Sequence, residues 1–237
     1  MLRGAQCKII VVFTLILSLF TFNIGFAEYT TVATYAGWTT VDIPGVMRFQ
    51  IPPTMEIQSE GYKKKTEQIG GNTYEFMKAL KAYTTLQFVA NQKGLNAGTK
   101  FGFGHYSRVL ADMIPASGAF GSGHRLNLTK KELTELRPIM AANIKQGYSL
   151  DPRWHFTMNY FSPIVVQNIS GKDCLTFAYI RTLDNKPPVV VHCFNFYGKK
   201  HDLNFQISYR ITERNIWEYP GNDLRDVLNT VYFYGDL

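Results

Sequence analysis

The stretch LNFQISYRI, residues Leu203–Ile211, decides how the rest of the chain is interpreted. Apolar and polar side chains alternate strictly along it, with Leu203, Phe205, Ile207 and Tyr209 in one register and polar side chains in the other. Successive side chains of a β-strand point to opposite faces of a sheet. The alternation therefore predicts an antiparallel strand with one buried face and one half-exposed face.

Two segments before this stretch are apolar at nearly every position, Cys174–Ile180 and Val189–Phe196. A strand of that kind is covered on both faces by other elements. The segments between the strands, Asp184–Pro188 and Gly198–Asp202, have the residue types and the length of hairpin turns. We therefore predict a meander of three consecutive strands, with Pro163–Ile169 as a fourth.

A long helix is predicted to begin at Thr129, because Thr129 and Glu132 have the spacing of a capping box. Its apolar face continues through Leu133, Leu136, Met140 and Ile144. Pro138 lies within this pattern, so we expect a kink or two short helices meeting there.

A closing helix is predicted from Asn222, a favourable N-cap residue. Apolar residues follow it at the spacing of one buried helical stripe, at Leu224, Val227, Leu228 and Val231.

The first half of the chain has weaker patterns. Val46–Ile51 alternates and is followed by Pro52-Pro53, which predicts an edge strand and then a break. Asn72–Tyr83 has helical spacing, whereas Leu86–Ala90 and Tyr106–Ile114 are typical of strands. We therefore predict a single α+β domain over residues 28–237, an antiparallel β-sheet with helices packed on its faces.

The first 27 residues have the features of a secretory signal peptide. Arg3 and Lys8 precede the apolar run Ile9–Phe22, and small residues stand at Gly25 and Ala27, where cleavage is expected. An uncleaved anchor stays open, because the 19 uncharged residues between Lys8 and Glu28 could span a bilayer as a helix. With cleavage after Ala27, we expect a secreted or periplasmic protein without a transmembrane span.

Composition excludes several classes of protein. The 237 residues are 46% hydrophobic and 18% charged, unlike disordered, collagen-like or multi-span membrane chains. After cleavage, 23 basic and 18 acidic residues leave a net charge of +5. The basic pairs are scattered rather than clustered, so we do not expect nucleic acid as a partner.

Cys174 and Cys193 remain after cleavage, in a compartment that permits disulfides. With Asp184–Pro187 as the hairpin loop, Cys193 is predicted to face Ala178, about 13 Å along the strand from Cys174. Bridged Cα atoms lie within about 7 Å, so the bond forms only if a bulge or a shifted turn changes the register. His192 points to the opposite face from Cys193, which disfavours a zinc site.

We predict no catalytic residue, no cofactor and no metal ligand. The five histidines lie in five separate segments, and none belongs to a recognised nucleophile, zinc or phosphate motif. Trp217, together with Glu213 and Arg214, is expected to tie the last strand to the closing helix. The aromatic and basic segment with Arg153, Trp154 and His155 either covers one end of the sheet or forms a recognition surface.

In the order of these elements, the chain resembles exported bacterial domains of the PsbP-like and DcrB-like fold group. The resemblance rests on the early strand with its proline break (Val46–Met55), the late meander with Ser208-Tyr209-Arg210 before Trp217, and the closing helix that runs into Thr230–Phe233. It implies a sandwich of helices around an antiparallel sheet. It supplies no functional residue, and a fold does not define a function.

Three classes of function stay open. We expect an exported, non-catalytic module that binds a protein, an envelope component or a small ligand through loops at the ends of the sheet. The alternative is a secreted hydrolase whose site is assembled from separate loops. A structural envelope protein that oligomerises through a sheet edge is a third class.

Overall fold

A computed structural model describes residues 32–58, 85–93, 107–120, 125–149, 155–184, 186–218 and 223–237. The predicted signal peptide (1–27), the predicted helix at 72–83 and the predicted cap Asn222 lie outside the described residues.

The described strands form two antiparallel sheets. In chain order they are β1 (Thr39–Ile43), β2 (Met47–Ile51), β3 (Met55–Ile57), β4 (Thr85–Gln92), β5 (Arg108–Pro115), β6 (Phe156–Phe161), β7 (Val165–Ile169), β8 (Lys172–Leu183), β9 (Val189–Phe196), β10 (His201–Arg210) and β11 (Tyr232–Phe233). The large sheet has the order β3-β4-β5-β10-β9-β8-β6, with β7 also paired to β8. The small sheet has the order β1-β2-β11.

The helices lie on both sides of the large sheet. They are α1 (Lys130–Ser149), α2 (Asn215–Glu218) and α3 (Asp223–Asp226), with short 3-10 turns at Ile211–Glu213 and Val227–Thr230. The predicted α+β class, an antiparallel sheet with helices on its faces, is confirmed.

Two cores cover the two faces of the large sheet. The inter-sheet core lies between the small sheet, the C-terminal helical turns and the large sheet, and Phe205 of β10 meets Phe49 of β2 edge to face in it, at 5.2 Å between ring centroids. The helix-side core lies between the large sheet and α1, and includes Phe177, Tyr179 and Cys193. Since β8 and β9 contribute to both cores, the prediction that they are covered on both faces is confirmed.

Several local predictions are also confirmed. The meander β8-β9-β10 has the expected antiparallel pairing, and β7 joins it through β8. The capping box forms, because the Thr129 N–H donates to Glu132 Oε2 at 2.7 Å and the Glu132 N–H donates to Thr129 Oγ1 at 3.3 Å.

The segment predicted as an edge strand is an interior strand of the small sheet. β2 pairs with β1 on one side and with β11 on the other. Pro52 follows the last residue of β2, so it removes no hydrogen bond from the ladder. The closing segment brings β11 to the free side of β2, a contact between distant parts of the chain that local patterns do not encode.

The two predicted helices also differ in detail. Helix α1 runs through Pro138 without dividing into two. Pro138 is exposed, so water can hydrate the carbonyl that its missing N–H leaves without a partner. The closing helix is only one turn, α3, followed by a 3-10 turn, and the predicted stripe of Leu224, Val227, Leu228 and Val231 is buried.

The two cysteines are free and buried. Cys193 pairs with Phe177, not with the predicted Ala178, and Cys174 pairs with Phe196. A shift of one residue moves a side chain to the other face of the sheet, so Cys174 lies in the inter-sheet core and Cys193 in the helix-side core. The sheet therefore separates the two thiols.

Candidate functional site: the cleft beside helix α1

The predicted recognition surface is described only at His155, since Arg153 and Trp154 lie outside the described residues. His155 is exposed just before β6, and its Nδ1 lies 3.3 Å from Asp184 Oδ1. Asp184 Oδ1 also accepts a hydrogen bond from the His155 backbone N–H at 3.0 Å, which lowers the pKa of this carboxyl. His155 is thus fixed to the β8-β9 turn.

The described histidines do not form a catalytic pair with a nucleophile. In the part of the chain that the structure describes, no Ser or Cys side chain is hydrogen-bonded to His155, His192 or His201. Burial raises the pKa of the Cys174 thiol to about 12 and that of Cys193 as well, so both are protonated at neutral pH. Over the same residues, no group of three His, Cys, Asp or Glu side chains could hold a metal ion.

Helix α1 is attached to the sheet along one side. The Arg137 guanidinium donates to the carbonyl oxygens of Phe161 and Ser162, at the end of β6. Tyr148 stacks on Phe156 of β6 at 4.2 Å and lies 3.3 Å from Tyr179, hydroxyl to hydroxyl. No side chain of α1 is fully buried. The helix is therefore anchored over β6 and β8, and it leaves the neighbouring faces of β9 and β10 partly open.

A cleft of about 270 Å³ lies between α1 and these strands, and we call it the α1 cleft. Its apolar surface comes from Met140 and Ile144 of α1 and from Phe177 and Ile114 of the sheet. Most ligand pockets in proteins are apolar with a few polar groups that fix the ligand's orientation.

Carboxamide side chains supply the polar groups of the α1 cleft. Asn143 of α1 and Asn204 and Gln206 of β10 line it, and none of the three makes a side-chain hydrogen bond to another described residue. A fourth, Asn195 of β9, is hydrogen-bonded to the Tyr197 hydroxyl. Each free carboxamide offers both donors and an acceptor to a ligand.

Two carboxyl groups lie near the α1 cleft, those of Asp202 and Asp112. The first is hydrogen-bonded to the backbone, and the second has a pKa near neutrality. Asp202 is buried, and its two oxygens accept hydrogen bonds from the backbone N–H groups of Ser117 and Gly198. Asp112 is paired directly opposite Asn204. Burial raises the pKa of Asp112 from 3.8 to about 7, opposed by the positive charge of Arg108. The cleft therefore favours an uncharged ligand.

The sequence contained part of the signal for this cleft. Asn204 and Gln206 occupy the face of β10 that the alternation predicts to be half-exposed, and both are partly exposed in the structure. Nothing in the sequence distinguished Asn143, because amide side chains are common at exposed positions of helices. Which helix lies beside β10 depends on packing between distant segments.

Comparisons with known proteins give similarities to solved structures and to nothing else. No protein-family model and no curated protein matches the chain. The chain is similar to the solution structure of cyanobacterial PsbP (CyanoP) from Synechocystis sp. PCC 6803, at 8% identity and a TM-score of 0.47, over 89% of this chain and 99% of that one. We take no function from this similarity, and the likeness to DcrB-like domains stays a prediction.

Among the helices that the structure describes, none is both long enough and apolar enough to cross a bilayer.

Proposed function

We propose that the protein is an exported, non-catalytic module that holds a small, mainly apolar and uncharged ligand in the α1 cleft. The observation that carries this proposal is the convergence of three free carboxamides, those of Asn143, Asn204 and Gln206, on an apolar cleft. In the empty cleft water hydrates these amides, so they cost the fold little free energy. A ligand that covers them without forming hydrogen bonds to them binds weakly, because it leaves them unpaired and removed from water.

Export is supported by residues 1–27, whose charged, apolar and small-residue segments follow the order of a signal peptide. We expect intact-mass measurement of the protein from its native host to give a chain that begins at Glu28. A full-length chain recovered from the membrane fraction would instead indicate the uncleaved anchor.

The ligand-binding proposal is tested with an uncharged fluorescent probe, N-phenyl-1-naphthylamine. We expect saturable binding with one site per chain and an increase in fluorescence as the probe leaves water. Native mass spectrometry of the protein from its host is expected to show a small molecule that this probe displaces.

Two tryptophan variants on adjacent α1 positions provide a matched pair. Asn143→Trp places an indole in the α1 cleft, whereas Ala142→Trp places it on an exposed position outside the lining. We expect the first variant to lose probe binding and the second to retain it, with the same circular dichroism spectrum. Equal binding by both variants would place the probe elsewhere and refute the proposal.

A further inference from the structure

A second cleft lies on the opposite face of the large sheet, between β7, β8 and β9 and the C-terminal helical turns. Its volume is about 350 Å³, and we call it the Arg225 cleft. Gln167, Thr176 and His192 line it from the sheet, and Trp217 and Arg225 line it from the closing segment.

An aromatic stack forms one wall of the Arg225 cleft. The Trp217 indole lies on the His192 imidazole, with 3.9 Å between ring centroids and 20° between planes. His192 Nε2 is 3.0 Å from the Tyr209 hydroxyl, which fixes the orientation of the imidazole. This wall offers a flat, rigid surface to the neutral part of a ligand.

Arg225 is the positive group of the cleft. Its side chain is exposed, and among the described residues no hydrogen bond or ion pair occupies its guanidinium. The adjacent carboxylate of Asp226 accepts a hydrogen bond from Asn229 at 3.2 Å. Burial and the charge of Asp223 raise the pKa of Asp226, and the nearby charge of Arg225 opposes this rise.

His192 does not add a second positive charge. Burial and the nearby Arg225 charge lower the pKa of His192 to about 4, so the imidazole is neutral at pH 7. Because Nε2 is already paired with the Tyr209 hydroxyl, the imidazole has Nδ1 left for a ligand, as a donor or an acceptor according to the tautomer. The lining therefore carries one formal positive charge, which suits a monoanion better than a phosphate dianion.

We propose that the Arg225 cleft binds a small carboxylate, with the acid on the Arg225 guanidinium and the body of the molecule against Trp217. Arginine binds carboxylates through two parallel N–H···O bonds, because its donors form a planar fork. The Thr176 hydroxyl and the Gln167 carboxamide lie on the sheet side of the same cleft and can accept or donate to the rest of the ligand. This site is independent of the α1 cleft, which lies across the sheet.

The test uses benzoate as the probe and the Trp217 indole N–H signal in a ¹H–¹⁵N spectrum as the readout. The chain has 3 Trp, and the signal of Trp217 is identified by its loss in Trp217→Phe. We expect benzoate to shift this signal to saturation, and benzamide, its uncharged counterpart, to leave it in place.

Arg225→Gln removes the charge from an exposed position and is expected to weaken benzoate binding by about 10- to 100-fold. Arg225→Lys keeps the charge without the fork and is expected to bind with intermediate affinity. Arg48→Gln is the matched control, because Arg48 is an exposed arginine on the small sheet, over Tyr232. It is expected to bind benzoate as the unmodified chain does.

Three outcomes would overturn the proposal. They are equal shifts with benzamide and benzoate, unchanged affinity in Arg225→Gln, and inorganic phosphate binding at the same signal more tightly than benzoate. Ligand binding in the α1 cleft is measured with a different probe. If benzoate does not bind the Arg225 cleft, the proposed function is unaffected, and if the fluorescent probe does not bind the α1 cleft, the carboxylate site is unaffected.

Discussion

Asp112→Asn is expected to stabilise the protein at alkaline pH and to change its stability little at acid pH. Asp112 lies on β5 opposite Asn204, and burial raises its pKa from 3.8 to about 7. Burial favours the neutral carboxyl, so the native chain keeps a proton that the unfolded chain releases above pH 3.8. The free energy of unfolding therefore falls between about pH 4 and pH 7 and stays low at higher pH.

The size of this effect follows from the pKa shift. A difference of roughly three pKa units corresponds to roughly 4 kcal/mol, at about 1.4 kcal/mol per unit. The Asp112 side chain is half-buried rather than fully buried. Solvent at the carboxyl reduces the effect, and we expect about 2 to 4 kcal/mol at pH 8. Asparagine is isosteric and uncharged, so the variant avoids this cost.

The measurement is urea unfolding of both chains at several pH values from 4 to 8, and the relevant quantity is their difference in unfolding free energy. The other titratable groups contribute equally to the unfolding free energies of both chains, so their contributions cancel in the difference. We expect it to grow with pH and to level off above pH 7. A difference that stays constant across the range would show that Asp112 ionises as an exposed carboxyl and would refute the reasoning.

Asp184→Asn is the control with the opposite sign. Asp184 has a pKa lowered by the hydrogen bond from the His155 backbone N–H, so its ionised form stabilises the fold. This contribution is present above the unfolded pKa and is lost as the pH falls. Asparagine also tolerates the positive φ of 51° at this position. We therefore expect this variant to lose stability at neutral pH and to match the unmodified chain in acid.

Three further predictions concern the fold. Thr129→Ala removes the side-chain acceptor of the α1 capping box, and thermal unfolding should show a loss of about 1 kcal/mol; no loss would mean that the cap does not contribute. Phe205→Ala empties a fully buried site and should cost about 3 to 5 kcal/mol in urea unfolding; a cost below about 1 kcal/mol would contradict the packing of the inter-sheet core. Cys174 and Cys193 should resist a thiol reagent in the native chain and both react in urea without a reductant; a third reactive thiol would come from Cys7 and show that residues 1–27 are retained.

The sequence predicted the elements whose patterns are local. The alternation of residues 203–211 identified β10 and its buried face, and the spacing of Thr129 and Glu132 located the start of α1. β6 was not predicted, although Phe156, Met158 and Tyr160 alternate with Thr157 and Asn159, because this short alternation directly follows the aromatic and basic segment at Arg153–His155. The pairing of β11 with β2 was also missed, since it joins segments about 180 residues apart, as the hydrogen bond from the Gln50 N–H to Thr230 Oγ1 does.

The candidate sites were harder to predict than the strands, because each requires two elements that are distant in sequence. Trp217 was expected to tie β10 to the closing helix; its ring centroid lies 6.2 Å from that of Tyr209 of β10, and it stacks more closely on His192 of β9. The position of the Arg225 guanidinium beside this stack could not be predicted, because it depends on how one turn of helix lies over β9. The free carboxamides of Asn204 and Gln206 likewise acquire a cleft only when α1 lies beside β10.

The register of the β8-β9 turn assigns residues of β9 to the two clefts. His192 and Cys193 are successive residues with side chains on opposite faces, so His192 lines the Arg225 cleft and Cys193 lines the α1 cleft. Asp184 begins this turn in the left-handed conformation. A turn one residue longer or shorter would exchange the faces of β9 and place the Cys193 thiol beside Trp217. The clefts are thus specified by the length of one hairpin loop as much as by the residues that line them.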